Sequence, residues 1–486
     1  MARGDASHSG RVGSGRLLRR STASLVVLLF VLAGAAYQFD LGTRWLGWDY
    51  PSPVTEPAEV APPPGLTLPR PVKAPAVAEP TENQAAEPAA VHQALAKLVR
   101  SKKLGRSVSV AVDQLSDGSS VYSHGAGLLT PASTMKLVSS TAALATLGPE
   151  HRFRTTVVAG ADRGQIVLVG GGDPLLGRAP VSDDVYPARA DVRTLAAATA
   201  DSLRRLGRKS VRLHYDASLF TGPAVSPDWP ASYISDNVVS PISALWVDEG
   251  REQTGQSLRG EDPAADAALA FAKALARKNI RVVGKPSPAR ATEDATELAA
   301  VESAPLGQVV QRILEVSDNE GAEVLFRHVA LAEGEPASFA GSQVAVAAVL
   351  ERLGLDTGGL RILDGSGLSR GNRLRAETLL SVLELAAAPE HPELRTVVAD
   401  LPVAGFTGSL AYRFESGDEA GLGRVRAKTG TLTGVHGLAG TVTDQDGTEL
   451  AFVAVADRVR IKNTLAARAL LDEVAAALAG CECGAR

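Results

Sequence analysis

The chain has 486 residues with 45% hydrophobic and 4% aromatic side chains, a formal net charge of −4 and a pI near 6.1. That length exceeds one typical domain and is enough to bury a large core. The acidic balance, with no basic patch interleaved with aromatics, excludes nucleic acid as an expected partner. Eight scattered histidines without H-E-x-x-H spacing suggest no metal site and no other cofactor.

In chain order, Arg11, Arg16, Arg19 and Arg20 precede an uncharged stretch from Ser21 to Phe39. Those nineteen residues are about long enough to cross a bilayer. Ala33-Gly34-Ala35 also offers a small-residue cleavage site. Residues 1–40 therefore read as a signal anchor or a signal peptide, and the preceding arginines place the remainder outside the cytoplasm. Eleven of the 28 prolines fall between Pro51 and Pro88, so residues 41–90 read as a semi-rigid linker that cannot bury a core.

Lys136 is the only lysine with a serine three residues ahead of it, within Leu129-Thr130-Pro131-Ala132-Ser133-Thr134-Met135-Lys136-Leu137. Pro131 suits the first turn of a helix, and residues three apart share a helix face, so Ser133 and Lys136 are expected to touch. A serine hydroxyl becomes a nucleophile only when a base takes its proton, and a lysine with a pKa near 10.4 cannot do so while charged. Burial beside Leu137-Val138 and Ala142-Ala143-Leu144, with a second cation nearby, would depress that pKa. The Ser133 amide at a helix start can form half of an oxyanion hole.

Residues 154–302 are expected to form an inserted region of about domain size, because the gap that follows is longer than one compact core needs. Its helix-break-strand patterns, over Leu203–Leu219 and Ala264–Val283, read as one or two small α/β subdomains. Ser-Asp-Asn occurs twice. Ser317-Asp318-Asn319 lies in Leu306–Ala332, where Val309, Ile313, Val316, Leu325 and Val329 recur at helical spacing, a rigid setting. Ser235-Asp236-Asn237 follows Trp229 and Tyr233 and precedes Ser240-Pro241, which reads as a turn. The later copy, through Ser317 and Asn319, is assigned to the site.

Arg426-Ala427-Lys428-Thr429-Gly430-Thr431 reads as a strand whose glycine lets a ligand approach the backbone. Lys428 would supply the second cation and the Thr431 amide a second oxyanion donor. Asp446-Gly447 between two apolar runs is a hairpin signal, so this strand opens an antiparallel meander. An amphipathic helix over Lys462–Ala479 ends the pattern. Cys481 and Cys483 form no disulfide framework; they could pair with another molecule or with each other, and a frayed tail is the expected context.

The S-x-x-K, S-D-N, K-T-G series resembles penicillin-binding proteins and class A β-lactamases. Gly170-Gly171-Gly172-Asp173-Pro174-Leu175, Asp364-Gly365-Ser366-Gly367-Leu368-Ser369-Arg370 and Leu401-Pro402-Val403-Ala404-Gly405 narrow the resemblance to the class C low-molecular-mass penicillin-binding proteins, the D-alanyl-D-alanine carboxypeptidase/endopeptidase family. It spans roughly residues 91 to 480. The resemblance implies an α/β (α+β) fold, with an antiparallel sheet flanked by helices in a transpeptidase-like domain of two segments, 91–153 and 303–486, around the insert. It also implies Ser133 as nucleophile, Lys136 as general base, Ser317 passing a proton to the leaving amine and Asn319 holding the acyl side. Lys428, Thr429, Gly430 and Thr431 would bind the substrate's carboxylate region and oxyanion, and Arg370 a side-chain carboxylate. The expected partners are peptidoglycan stem peptides, with β-lactams as inhibitors. The expected location is extracytoplasmic, membrane-anchored or secreted, and the oligomeric state is not indicated. The rival readings are a β-lactamase, against which no E-x-x-L-N segment lies between Ser317 and Lys428, and a non-catalytic relative, against which Ser133, Lys136 and Lys428 are intact.

Overall fold

The structure, a computed structural model, describes residues 85–484 except residues 126, 183, 256 and 415–418. The stretch read as a membrane segment over 1–40, and the linker up to residue 84, lie outside the described residues. Strands β1 (Ser107–Gln114), β2 (Ser120–His124), β9 (Val425–Leu432), β10 (Val435–Thr443) and β11 (Glu449–Asp457) form one antiparallel sheet in the order β2-β1-β11-β10-β9. The meander read from the sequence is therefore present, with Gly434 and Asp446-Gly447 between its strands.

β11 shows why this sheet is central. Alternate side chains leave opposite faces of a strand. Ala451, Val453 and Val455 enter one apolar cluster, while Leu450, Phe452, Ala454 and Ala456 enter another. A strand buried on both faces must be apolar throughout, which is what the run Leu450–Ala456 supplies. On the first face lie α2 (Met135–Leu147), α5 (Leu306–Val316), α6 (Asn319–Ala332), α7 (Phe339–Arg352) and α8 (Ala376–Ala387). α1 (Pro88–Leu95) and α9 (Thr464–Ala479) cover the second face. α2 is buried on all sides from Met135 to Leu144, and its serines and alanines let neighbouring helices approach closely. It is the pillar that carries Lys136.

A second sheet contains β3 (Arg154–Ala159), β4 (Gln165–Val169), β5 (Ser210–Asp216), β6 (Arg281–Val282), β7 (Ser287–Pro288) and β8 (Glu297–Glu302). It is mixed: β4 and β5 run parallel, whereas β3 pairs antiparallel with β4 and β8. Helices α3 (Val192–Arg205) and α4 (Pro263–Arg277) share its core through Leu168, Leu195 and Phe271. Asp191 and Asp262 cap them, satisfying amides that a helix start leaves open.

Two expectations need correction. Leu306–Ala332 is not one helix: α5 stops at Val316, Ser317 takes a left-handed conformation (φ 60°), and Asp318 caps α6 by accepting the Gly321 amide. The apolar spacing continues on both sides of the break, which is why periodicity alone misses it. The C-terminal tail is also not frayed. Cys481 and Cys483 are disulfide-bonded to each other, Cys483 is fully buried, and its carbonyl accepts the Glu87 amide.

Candidate active site

The site begins with a distorted turn. Ala132, fully buried, has φ 47°, a conformation costly for a residue with a Cβ. Ala132–Thr134 then form a 3-10 turn leading into α2, and Thr134 Oγ1 donates to the Pro131 carbonyl at 2.8 Å. The loop 364–370 presses on this turn. Gly367 has φ 83°, and a Cβ there would fall 1.8 Å from the Ala132 carbonyl oxygen, so only glycine fits. Asp364 holds the loop, accepting from the amides of Gly367 and Ser369, from Asn372 Nδ2 and from Trp229 Nε1.

Lys136 is fully buried. Its Nζ lies 3.0 Å from Ser133 Oγ and donates to Asn319 Oδ1 at 2.8 Å and to the Ser366 carbonyl at 2.7 Å. Burial lowers its pKa to about 8, against the opposing field of Glu323, Asp318, Asp364 and Glu320. A neutral amine has two N–H groups and one lone pair. Asn319 and Ser366 take the two N–H groups, which leaves the lone pair facing the Ser133 hydroxyl. Glu323, buried one turn beyond Asn319, accepts the Gly365 and Ser366 amides and so holds the backbone leading to the Ser366 carbonyl that accepts from Lys136. Desolvation raises its own pKa to about 8.

Lys428 comes from the opposite wall, on β9. It is fully buried, donates to Ser317 Oγ at 2.8 Å and to the Thr429 carbonyl at 2.9 Å. Burial and the charge of Lys136 hold its pKa well below the usual lysine value. The break at Ser317 is what turns that hydroxyl toward β9 while Asn319, at the start of α6, faces Lys136. Behind the break, Glu249, Asp318 and Glu320 converge, countered by Arg251, Arg259 and Arg312. This buried charge network ties α5 and α6, which carry Ser317 and Asn319, to the segment 248–259.

Ser133, Ser317, Asn319, Thr429 and Thr431 line one cleft of about 400 Å³, together with Tyr233, Val238, Leu368, Leu432 and Thr433. Gly430 lies on the same strand. Its Cβ would come 2.9 Å from the Pro131 carbonyl, so its bareness lets β9 close on the nucleophile turn. Thr429 Oγ1 shares a 3.0 Å hydrogen bond with Ser409 Oγ. Arg370 is exposed at the cleft's rim, donating to the Thr433 carbonyl, and its charge acts on Tyr233. Ser235 and Asn237 are not part of this cleft. Ser235 Oγ bonds back to the Ser232 carbonyl, and Asn237 accepts the Arg259 amide. His328 is buried and stacked on Phe153, with its pKa lowered to about 4 by desolvation, a packing position.

Sequence reasoning missed Tyr233 and Val238 in the cleft, the Asn319 Nδ2 bond to the Val238 carbonyl, and the parts played by Glu323 and Trp229. Their signal was faint: acids on an apolar helix and a tryptophan in a loop.

A hydroxyl held against a buried, depressed amine, at the junction of an antiparallel sheet and a helical layer, defines a serine hydrolase of the penicillin-binding-protein fold. Residues 91–256 and 251–478 match the sequence profile of the D-Ala-D-Ala carboxypeptidase 3 (S13) family, and the chain belongs to that family. Carboxypeptidase Rv3627c of Mycobacterium tuberculosis is 37% identical over 425 residues, covering 85% of this chain and 89% of that protein. Carboxypeptidase DacB of Mycolicibacterium smegmatis is 37% identical over 399 residues, covering 81% and 84%. The crystal structure of penicillin binding protein 4 from Haemophilus influenzae shares the fold, with a TM-score of 0.64 at 23% identity, covering 79% of this chain and 97% of that one.

Proposed function

We propose that Ser133 attacks the carbonyl between the two residues of a D-Ala-D-Ala terminus on a peptidoglycan stem peptide, or of a D-Ala cross-link, and is acylated by it. As a member of this family the protein is a serine-type D-Ala-D-Ala carboxypeptidase. The observation that carries the residue assignment is the Lys136 amine, 3.0 Å from Ser133 Oγ with its other donors engaged. In the neutral form Lys136 takes the hydroxyl proton as Ser133 bonds to the carbonyl carbon. The amides of Ser133 and Thr431 receive the oxyanion, and Ser317, held by Lys428, relays a proton to the departing D-alanine amine. Asn319 fixes the acyl side, Thr429 with Lys428 the terminal carboxylate, and Arg370 a side-chain carboxylate on the stem peptide ahead of the D-Ala pair. Water then hydrolyses the ester.

β-Lactams acylate the same serine. No carboxylate is among the described residues lining the cleft, which supports a long-lived lactam adduct rather than β-lactamase turnover. The uncharged stretch Ser21–Phe39 and the proline-rich segment support an enzyme tethered outside the cytoplasm. Labelled penicillin followed by peptide mass spectrometry tests the reading, with hydrolysis of a D-Ala-D-Ala pentapeptide measured in parallel. An adduct on Ser133 that outlasts minutes is expected. An unmodified Ser133 would refute the assignment, and many lactam turnovers per second would make the protein a β-lactamase.

A further inference from the structure

Away from the cleft, Lys102, Lys103, Arg106, Arg458, Arg460 and Lys462 line a pocket of about 670 Å³ with Gly105 and Asn463. The whole chain is acidic, yet no acidic residue lines this pocket. Among the described residues, none of the six cations stands in an ion pair. The neighbouring carboxylate, Asp457, is turned to Thr130 Oγ1 and to the Arg458 amide. Six like charges at one place repel each other unless an anion joins them.

The pocket is built rather than accidental. Leu104 and Val459, both buried, anchor its two loops. Gly105, at φ 90°, lies so close that a Cβ would meet the Asp457 carbonyl at 2.7 Å. Arg458 is held at φ 56°, and the Val459 amide bonds to the Gly434 carbonyl. Beside the cations, Ile461 and Leu465 are each 76% exposed. Ile461 opens the 3-10 turn Ile461–Asn463 that leads into α9, and Leu465 lies in the first turn of that helix. A soluble oligoanion needs only the cations. A cationic patch with large aliphatic side chains at its edge matches the headgroup region of a bilayer, where charge attracts and apolar side chains sink in.

We propose that this pocket and its aliphatic edge dock the folded domain onto an anionic lipid surface. The inference rests on the reading of the enzyme as one that works at the outer face of a membrane. It is independent of the catalytic residues.

The test is amide hydrogen exchange on the full chain with excess vesicles of phosphatidylcholine, or of phosphatidylcholine with about one third phosphatidylglycerol. Peptides covering 100–107 and 457–466 should exchange roughly tenfold more slowly with the anionic vesicles, an effect that high salt weakens. Lys102→Gln, Lys103→Gln, Arg460→Gln and Lys462→Gln together should remove the difference, while pentapeptide hydrolysis and the melting temperature stay near wild type. Leu465→Ser with Ile461→Ser should reduce it with the charges intact. Equal exchange with both vesicles would overturn the proposal. So would equal protection from tripolyphosphate added to phosphatidylcholine vesicles, which would make the pocket a soluble-oligoanion site. Loss of pentapeptide hydrolysis by the wild type would count against the catalytic reading alone.

Discussion

The tripeptide Ser-Asp-Asn appears at two places in this molecule, and each copy has one residue in the left-handed region: Ser317 at φ 60° and Asn237 at φ 56°. At 317–319 the left-handed serine separates two helices whose apolar faces are buried in the core, and it faces the cleft. Asp318 is buried as a cap, and the flanking hydroxyl and amide reach two different lysines. At 235–237 the same residues end a single helical turn, Ser232–Ser235, and the serine is exposed. Identical chemistry therefore acquires a role only where packing fixes it and a buried cation lies within reach. The second copy is not idle: its Asn237 accepts the amide of Arg259, which in turn pairs with Glu320 next to Asn319. The turn supports the charge network behind Ser317-Asp318-Asn319.

The largest expected effect separates the copies by what Lys136 touches. Lys136→Ala should lower penicillin acylation of Ser133 by about a thousandfold or more, since base and nucleophile act as one unit. Acylation within tenfold of wild type would move the base elsewhere. Next, Ser317→Ala should reduce kcat/KM on a D-Ala-D-Ala pentapeptide by roughly a hundred- to ten-thousandfold, whereas Ser235→Ala should stay within about twofold. The reverse pattern would exchange the roles of the two copies.

Arg370 tests the rim of the cleft. A guanidinium paired with a free substrate carboxylate contributes on the order of 1.5 to 3 kcal/mol. Arg370→Ala should then lower kcat/KM on diaminopimelate-containing peptides by about ten- to a hundredfold, and spare simple acyl-D-Ala-D-Ala substrates. Equal losses on both would leave Arg370 as a brace for the Thr433 carbonyl.

The pH profile reports the base. In the proposed mechanism Lys136 acts when neutral, and its pKa is lowered to about 8. Activity should therefore rise with pH, roughly tenfold from pH 7 to pH 9, as the neutral fraction grows from about a tenth to about nine-tenths. Glu323 favours the charged amine. Glu323→Gln should therefore lower the lysine's pKa and shift the rising limb to lower pH. A shift to higher pH would show that Glu323 acts through the Gly365–Ser366 backbone it holds rather than through its charge.

Much of this site was legible in the chain because it is local. Ser133 and Lys136 are one helical turn apart, and Lys428 sits in a strand announced by its hairpins. What the sequence hid is what depends on distant segments meeting. Periodicity ran through Ser317 and concealed the break that orients it. Tyr233 and Val238 enter the cleft from a loop whose polar composition reads as a turn. Glu323 looks like a surface acid on a helix until the loop 364–366 lays its amides on it. The tail was misjudged for the same reason: Cys483 is ordered by its contact with Glu87, nearly 400 residues away, and no local pattern encodes that meeting.

The smallest expected effect probes whether the second copy only supports the first. Asn237 is left-handed, which asparagine tolerates better than alanine, and its Oδ1 accepts the Arg259 amide at 3.0 Å. Asn237→Ala loses both features and should destabilise the fold by about 1 to 2 kcal/mol, read by denaturant unfolding. Asn237→Gly keeps the backbone freedom and should cost less. Neither should change acylation by more than about twofold, because Glu320 and Asn319 are also held by the Ser240 and Val238 backbone. If Asn237→Ala instead slows acylation well beyond Asn237→Gly at matched folded fraction, strain at 237 is being transmitted through Arg259 and Glu320 to Asn319. The two copies would then be mechanically coupled parts of one catalytic device.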